Sequence, residues 1–124
     1  IFLQRDLSQQ SLQIKGDGTQ TRDLLYVEDC SDFVVRAAAN ELAEGQIINA
    51  GTGKDIAVKE LARLCCSPEN RVEHVPHDHP QAEIARLVCD PSKAEKVLGW
   101  KPQTSLEQGL EKTRRWLEEN RWAW

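Results

Sequence analysis

The chain has 124 residues, of which 40% are hydrophobic and 29% are charged, and its formal net charge is −4. This length favours one domain with a modest core, and the composition is typical of an ordinary soluble globular protein. The acidic balance argues against nucleic-acid binding and no apolar run approaches membrane-spanning length, so we expect neither nucleic acid nor membrane as a partner.

The first elements in chain order are predicted to be a helix and two short strands. The apolar positions of residues 1–9 indicate the tail of a helix, and the alternation over 12–15 indicates a strand. A Gly-Asp-Gly turn at 16–18 leads to an apolar run, which predicts a second, buried strand over 22–27. Asp29 is then placed to cap the next helix.

The middle of the chain predicts two amphipathic helices around a short strand. The first helix follows Asp29 and is expected to end at Gly45 in a left-handed cap. Residues 46–50 predict an apolar strand, and helical spacing over 57–65 predicts the second helix. The apolar face of the first helix consists of Phe33, Val34, Ala37, Ala38 and Leu42.

The last third predicts a strand over 71–75, a polar loop over 76–83 and an extended segment over 84–89. Asp90 is placed to cap a short helix that Gly99 ends. This alternation of strands and helices indicates an α/β or α+β fold.

The final helix is the best specified element. Ser105 and Gln108 have the spacing of a capping box, and Trp100 is expected to pack near this helix. The tail with Trp122 and Trp124 is expected to fray. One helical face is formed by Leu106, Leu110, Thr113 and Leu117, with Trp116 beside them.

The cysteines predict the cellular compartment, and the absence of methionine predicts that the chain is part of a longer protein. None of the four cysteines forms a C-x-x-C pair, which fits reduced thiols and a cytoplasmic protein. Because the chain has no methionine and opens inside a predicted helix, we expect a truncated or excised piece of a longer protein. The cysteines are Cys30, Cys65, Cys66 and Cys89.

Arg22 is the most interesting charged residue, because it stands where the predicted turn becomes a strand. Its planar guanidinium suits a phosphate or diphosphate, which it can bind through two hydrogen bonds at once. The structural alternative is an ion pair with Asp17 or Asp23, and from this stretch alone the alternative is favoured.

Other candidate sites are weaker. The Gly51–Lys54 run lacks the residues that a P-loop needs, and Ile56 replaces the third glycine of a G-x-G-x-x-G motif, so we predict a simple turn. A metal could use side chains that are close together in or beside the polar loop, but no recognised ligand spacing is present. These are His74, His77, Asp78 and His79, with Cys65 and Cys66 if they lie near in space. We therefore predict no metal site, and no third group to orient a Cys–His nucleophile.

Four segments, in the same order along the chain, resemble the nucleotide-sugar epimerases and dehydratases of the extended short-chain dehydrogenase/reductase family. They match only the C-terminal part of that family. The resemblance implies an α/β fold, namely the C-terminal fragment of a Rossmann-type enzyme with the mixed strands and helices of its substrate domain. Residues 1–124 would form a single partial domain, with the N-terminal NAD-binding half absent. The segments are GDGTQTRDLLYVED (16–29), IINAGTG (47–53), DPSKAEKVLGWKP (90–102) and SLEQGLEKTRRWLEEN (105–120).

The resemblance also implies binding residues for a nucleotide-sugar. In the resembling enzymes one loop carries an arginine that contacts the diphosphate and, three residues later, an acid that contacts the ribose hydroxyls. Glu83 fits the acid, but Pro80 stands where the arginine is expected. We therefore assign the phosphates to Arg22 and the ribose to Glu83, with His79 and Gln81 as adjuncts. Another possibility is that an arginine beyond the loop, at position 86, turns back to the site.

The catalytic and cofactor motifs of the family are missing from this sequence. The family binds NAD(P) through an N-terminal glycine-rich turn and transfers protons with a Tyr-x-x-x-Lys pair. Tyr26 is the single tyrosine, and Cys30 stands four residues later, so we expect a core tyrosine. We predict no catalytic, cofactor-binding or metal-binding residue in this chain and no activity by itself.

The resulting prediction is the nucleotide-sugar-binding part of an NAD-dependent epimerase (an isomerase) or dehydratase (a lyase). We also expect a homo-oligomer, because the predicted strand over 46–50 would lack sheet neighbours. Two alternatives stay open: a non-catalytic binding module, and a truncated structural or oligomerising remnant without a ligand. Stabilisation by a ligand separates them, because a ligand that binds the folded state raises its stability.

Overall fold

The computed structural model describes residues 1–68 and 70–123, so the prediction for Trp124 lies outside the described residues. In this part of the chain, five α-helices connect and cover two small β-sheets. The helices are α1 (Phe2–Leu7), α2 (Val27–Ala38), α3 (Val58–Cys65), α4 (Ser92–Leu98) and α5 (Leu106–Glu119). The strands are β1 (Leu12–Lys15), β2 (Thr21–Arg22), β3 (Ile56–Ala57), β4 (Val72–Val75) and β5 (Arg86–Leu87). Short 3₁₀ helices cover Glu41–Ala43, Pro80–Ala82 and Arg121–Ala123.

The first sheet pairs β1 with β4 in parallel, so that Leu12 lies beside Val72 and Lys15 beside Val75. Side chains alternate along β1, as the sequence predicts. Leu12 and Ile14 are fully buried, while Gln13 and Lys15 face outward. Gly16 and Gly18 both adopt positive φ in the turn that follows, which confirms the predicted glycine turn.

The second sheet places β2 between antiparallel β3 and parallel β5. The predicted strand over 22–27 is wrong beyond Arg22, because β2 covers only Thr21–Arg22 and α2 begins at Val27. Leu24 and Val27 are 36% and 66% exposed, so this apolar run is not a buried strand. Asp29 lies inside the first turn of α2 rather than at its N-cap. Its buried carboxylate accepts a hydrogen bond of 2.9 Å from the backbone N–H of Thr104.

The surface of α2 and the segment after it differ most from the sequence prediction. Val34, Val35 and Leu42 are more than half exposed, and α2 ends at Ala38 rather than near Gly45. Residues 46–50 do not form a strand, and Ile47 is 86% exposed. A strand requires a hydrogen-bonded neighbour, and among the described residues none lies beside this segment.

The largest buried cluster lies where α1, α3 and α5 pack against β1. A second contact joins the C-terminal segment to α2, where the ring of Trp100 packs edge-on against Phe33 with centroids 5.1 Å apart. Trp100 therefore packs on α2, and its predicted packing near the last helix stays a prediction. No described helix combines the length and apolarity needed to span a membrane. The main cluster contains Leu3, Leu12, Ile14, Ala62, Cys65 and Leu117.

The ends of the C-terminal helices follow the sequence closely. Ser105 accepts from the backbone of Gln108, whose side chain accepts from the backbone of Ser105, which confirms the capping box. Gly99 ends α4 with φ of 60°, as predicted. Asp90 accepts from the backbone N–H of Ser92 at 3.0 Å, although the first residue before the helix is Pro91. Trp116 is half exposed and lies outside the buried face of α5.

Asp6 connects α1 to α5 and to the segment after α3 through one nearly buried carboxylate, whose side chain is 2% exposed. One oxygen accepts from the backbone N–H and hydroxyl of Ser67 and from the side chain of Asn70. The other accepts from the guanidinium of Arg114 on α5 at 2.8 Å. Burial alone would raise the pKa of Asp6, but these hydrogen bonds outweigh it and lower the pKa below its usual value.

We predict that Asp6→Ala lowers the free energy of unfolding by about 2–4 kcal/mol, because it removes the acceptor of both Ser67 donors and leaves Arg114 with only the carbonyl of Cys65. Urea denaturation followed by circular dichroism measures the loss. The control is Asp32→Ala, which removes an exposed ion pair with Arg36 and should cost less than about 0.5 kcal/mol. Equal losses in the two variants would contradict the structural role of Asp6.

Candidate functional site

Arg22 lies at the end of β2 with its side chain in a cleft. Adjacent strand residues point to opposite faces, so Thr21 and Asp23 bind partners on the other side of the sheet. Thr21 donates its hydroxyl hydrogen to Asp55 at 2.6 Å, and Asp23 accepts from the turn at Thr52. Arg22 therefore pairs with neither Asp17 nor Asp23. The predicted ion pair with one of these two residues is wrong.

The guanidinium of Arg22 is held by three acceptors. Nη1 donates to the backbone carbonyls of Thr21 at 2.7 Å and Ile84 at 2.8 Å, and Nη2 donates to the carboxylate of Glu83. A guanidinium has five N–H donors, so about two remain for a ligand. The side chain of Arg22 is 30% exposed, which keeps these donors within reach of the cleft.

Glu83 is held from both sides. Its Oε1 pairs with Arg22, and its Oε2 lies 2.5 Å from Nε2 of His77. The hydrogen bond from Arg22 is the largest influence on the carboxyl group, and together with His77 it lowers the pKa of Glu83 below its usual value. The carboxylate is therefore ionised at neutral pH and points in one direction, because both oxygens have partners.

The cleft around this pair encloses about 790 Å³. Its lining combines polar and cationic side chains with apolar ones, and some of the apolar ones also belong to the hydrophobic cluster. The polar lining includes Gln4, Arg5, Gln13, Lys15, Gln20 and His77, besides Arg22 and Glu83. The apolar lining includes Phe2, Leu3, Leu24, Val58, Leu61, Leu110 and Leu117. Such a cleft suits a ligand that has an anionic group and a less polar part.

The four binding residues predicted from the sequence do not all meet. Arg22 and Glu83 are in direct contact, whereas His79 and Gln81 are exposed on the loop and are not among the residues that line the cleft. His79 instead donates its backbone N–H to Nδ1 of His77 at 2.9 Å. The sequence indicated His77 only as one of several candidate metal ligands. It did not predict the contact of His77 with Glu83.

Pro80 explains why His77 and Glu83 meet. It opens the 3₁₀ helix Pro80–Ala82, and the chain reverses there, so that residues on either side of the helix come together. The proline was visible in the sequence, but a proline predicts a turn without telling which side chains the turn brings into contact. Arg86 does not turn back to this site, since its guanidinium binds Asp55 at 2.8 Å.

The Gly51–Gly53 turn does not fit a dinucleotide phosphate. The backbone N–H groups of Thr52 and Gly53, which would face a phosphate, donate to Asp23 at 3.0 Å. A Cβ at Gly51 would lie 2.3 Å from the Cβ of Cys89, so the turn is also closed sterically. A negative carboxylate therefore already accepts the N–H groups that an anion would need, so these residues do not form a phosphate site for NAD.

Tyr26 and the histidines have structural contacts in this part of the chain. Tyr26 precedes α2, with its ring against Gly109 and the ammonium of Lys112 4.9 Å from the ring centroid. Nδ1 of His74 lies 2.8 Å from the carbonyl oxygen of Gly16. Within residues 1–68 and 70–123, no three His, Cys, Asp or Glu side chains are grouped as metal ligands would be.

Comparison with known proteins gives a consistent result. Residues 2–113 match the family model described as GDP-mannose 4,6 dehydratase. A putative UDP-glucose 4-epimerase of Methanocaldococcus jannaschii is 37% identical over an alignment 124 positions long, which covers 97% of this chain and 38% of that protein. The curated relative is thus more than twice as long as the chain, which spans well under half of it.

Solved structures agree with this match. Pal from Bacillus thuringiensis has a TM-score of 0.92 and 50% identity, over 95% of this chain and 38% of that one. The UDP-glucuronic acid 4-epimerase from Bacillus cereus, solved in complex with UDP-glucuronic acid and NAD, has a TM-score of 0.83 and 27% identity. That match covers 95% of this chain and 38% of the epimerase. The fold is therefore that of part of a Rossmann-type enzyme of the extended short-chain dehydrogenase/reductase class.

We predict that the contribution of Glu83 to stability disappears in acid. A carboxyl group whose pKa is lowered on folding stabilises the folded state above its unfolded pKa, near 4.5. That stability is lost as the pH falls through the lower folded pKa. The difference in unfolding free energy between the unmodified chain and Glu83→Gln should therefore be largest near pH 7 and shrink below about pH 4.5.

Urea denaturation at stepped pH values measures this difference. The control is Glu118→Gln on α5, because the described residues show no partner for this exposed carboxylate. A Glu83→Gln difference that stays constant down to about pH 3 would contradict the ion pair described above.

Proposed function

Because this chain belongs to the GDP-mannose 4,6 dehydratase family, we propose that it is the nucleotide-sugar-binding part of an NAD-dependent epimerase or dehydratase. The observation that carries the proposal is the contact of Arg22 with Glu83 inside one cleft, with His77 on the second carboxylate oxygen. A nucleotide-sugar has a diphosphate and ribose hydroxyls, and these groups need a cationic donor and a fixed carboxylate side by side.

Each residue has a distinct role in this proposal. Arg22 directs its remaining N–H donors at the diphosphate, and Glu83 accepts hydrogen bonds from two ribose hydroxyls. His77 keeps the carboxylate in place, and the apolar part of the cleft receives the less polar part of the ligand. We retain His79 and Gln81 as adjuncts, because their exposed side chains can turn toward a bound ligand.

The chain in this proposal binds its substrate without converting it. Such a binding part contributes to catalysis by positioning the sugar, because orientation lowers the entropic part of the activation barrier. The chemistry at the sugar would depend on the cofactor and proton-transfer residues of the longer enzyme. Tyr26 does not match the Tyr-x-x-x-Lys pair of the family, because Cys30 stands four residues after it.

We predict that one class of nucleotide-sugar stabilises the folded chain. The measurement is thermal unfolding with millimolar UDP-, GDP-, CDP- and dTDP-sugars. A ligand at ten times its dissociation constant adds about 1.4 kcal/mol, which raises the melting temperature by roughly 5 °C for a domain of this size. The shift should vanish in Arg22→Ala and fall in Glu83→Gln.

Arg36→Ala is the control, because Arg36 forms an exposed ion pair within α2. Each variant is compared with itself without ligand, since Arg22→Ala also removes two bonds to backbone carbonyls and lowers stability. Incubation with NAD and the bound sugar should leave the sugar unchanged. No shift with any ligand would refute the binding role, and turnover would refute the division between binding and catalysis.

A second proposal is self-association through the outer surface of α2. Val27, Val34 and Val35 are each more than half exposed on this helix, and Leu42 and Ile47 follow them at 67% and 86% exposure. Exposed apolar side chains in such a group favour burial against another surface. We propose that copies of this chain associate there when the rest of the longer enzyme is absent.

We predict that sedimentation equilibrium gives a mass that rises above 14.1 kDa as the concentration of the chain increases. Val35→Lys should shift the equilibrium toward the monomer, because it places a charge within the apolar surface. Gln103→Lys adds the same charge on an exposed loop and should not shift it. A monomer at high concentration, with a sharp thermal transition, would overturn this proposal.

A further inference from the structure

A second ion pair joins the loop of residues 76–83 to the body of the protein. Lys15 ends β1, where its outward side chain lines the cleft, and its ammonium pairs with the carboxylate of Asp78 in the loop. The pair resembles that of Arg22 and Glu83 in one respect. In both, the cation lines the cleft and the acid lies in the loop, although Glu83 lines the cleft as well.

The two ion pairs differ in how firmly they are held. The side chains of Arg22 and Glu83 are 30% and 25% exposed, and each has further partners. The side chains of Lys15 and Asp78 are 54% and 63% exposed. Among the described contacts, neither of these two side chains has another hydrogen-bond partner. An exposed pair of this kind adds little stability, so a ligand can separate it at small cost.

The charge of the cleft favours an anionic ligand. The chain has a net charge of −4, yet three cations, Arg5, Lys15 and Arg22, line the cleft. Glu83 is the one carboxylate among the described lining residues, and Arg22 neutralises it. A diphosphate offers more negative charge and more acceptor oxygens than one carboxylate, so it competes well for a flexible ammonium group.

We infer that Lys15 is a second diphosphate-binding residue of the cleft and that Asp78 is its displaceable counter-ion. Arg22 provides the fixed donors, and Lys15 leaves Asp78 to bind the same diphosphate. This inference rests on the proposed function for the identity of the natural ligand, but the ion exchange itself requires only a diphosphate. Lys15 and Asp78 therefore have opposite effects on binding, although they form one ion pair.

Calorimetric titration with inorganic pyrophosphate, without divalent metal, tests the exchange, and the nucleotide-sugars are titrated in parallel. Lys15→Met keeps the aliphatic stem and removes the charge, and it should weaken pyrophosphate binding about fivefold to tenfold. Asp78→Asn releases Lys15 and should tighten binding about threefold. The matched controls are Lys101→Met and Glu95→Gln, an exposed ion pair (60% and 54%) that does not line the cleft.

The outcomes separate this inference from the proposed function. Opposite changes in the two variants, with unchanged controls, support the inference, and they do so even if no nucleotide-sugar binds. Weaker binding in both variants would show that the pair only holds the loop, which overturns the inference and leaves the proposed function intact. Unchanged affinity in both, or no pyrophosphate binding by the unmodified chain, also overturns it. A thermal melt of each variant shows that it is folded.

Discussion

The carboxylate of Asp23 is the contact on which the arrangement of the second sheet and its loops depends. It accepts hydrogen bonds from the backbone and hydroxyl of Thr52, from Gly53 and from the backbone of Cys89. Burial alone would raise the pKa of Asp23, but these bonds lower it, so the group is charged in the folded chain. Gly51 allows the close approach, because a Cβ there would collide with Cys89. Through this group, segments distant in sequence meet at the end of β2.

Because Asp23 fixes one side of the strand, Arg22 is fixed on the other. Its bond to the backbone carbonyl of Ile84 then holds the start of the extended segment that contains β5, next to Glu83 at the cleft. The site therefore combines a rigid part with a loose one. Arg22, Glu83 and His77 hold one another, while Lys15 and Asp78 meet near the surface. The contacts among Arg22, Glu83 and His77 preorganise the site for a ligand. The exposed pair of Lys15 and Asp78 can separate when a ligand binds.

The family match and the geometry of the cleft explain different properties of the molecule. The match accounts for the fold, and it covers residues 2–113. The cleft accounts for the charge and shape of a ligand that this part can hold. The Gly51–Gly53 turn shows why a short motif is weak evidence, since its N–H groups serve Asp23 and not a phosphate. A turn can bind a ligand only through donors and acceptors that the rest of the protein does not already use.

The sequence predicted those features of the site that depend on residue type. Arg22 was singled out because a planar guanidinium suits a diphosphate, and Glu83 because the resembling enzymes carry an acid at its place in the loop. The structure brings the two side chains into contact. His77 was missed and His79 and Gln81 were preferred, because side-chain contacts across the Pro80–Ala82 turn depend on the path of the folded loop. Spacing along the chain carries no information about that path.

The sequence by itself determined the elements whose signals are local. The capping box at Ser105 and Gln108, the left-handed Gly99 and the alternation along β1 each depend on residues a few positions apart. Only the tertiary structure decided which segments form strands and which helix faces are exposed. The apolar segment 46–50 forms no strand, because a strand exists only when a neighbour accepts and donates its backbone hydrogen bonds. Partners of this kind, like the partner of Asp29 at Thr104, come from distant parts of the chain, and local sequence does not specify them.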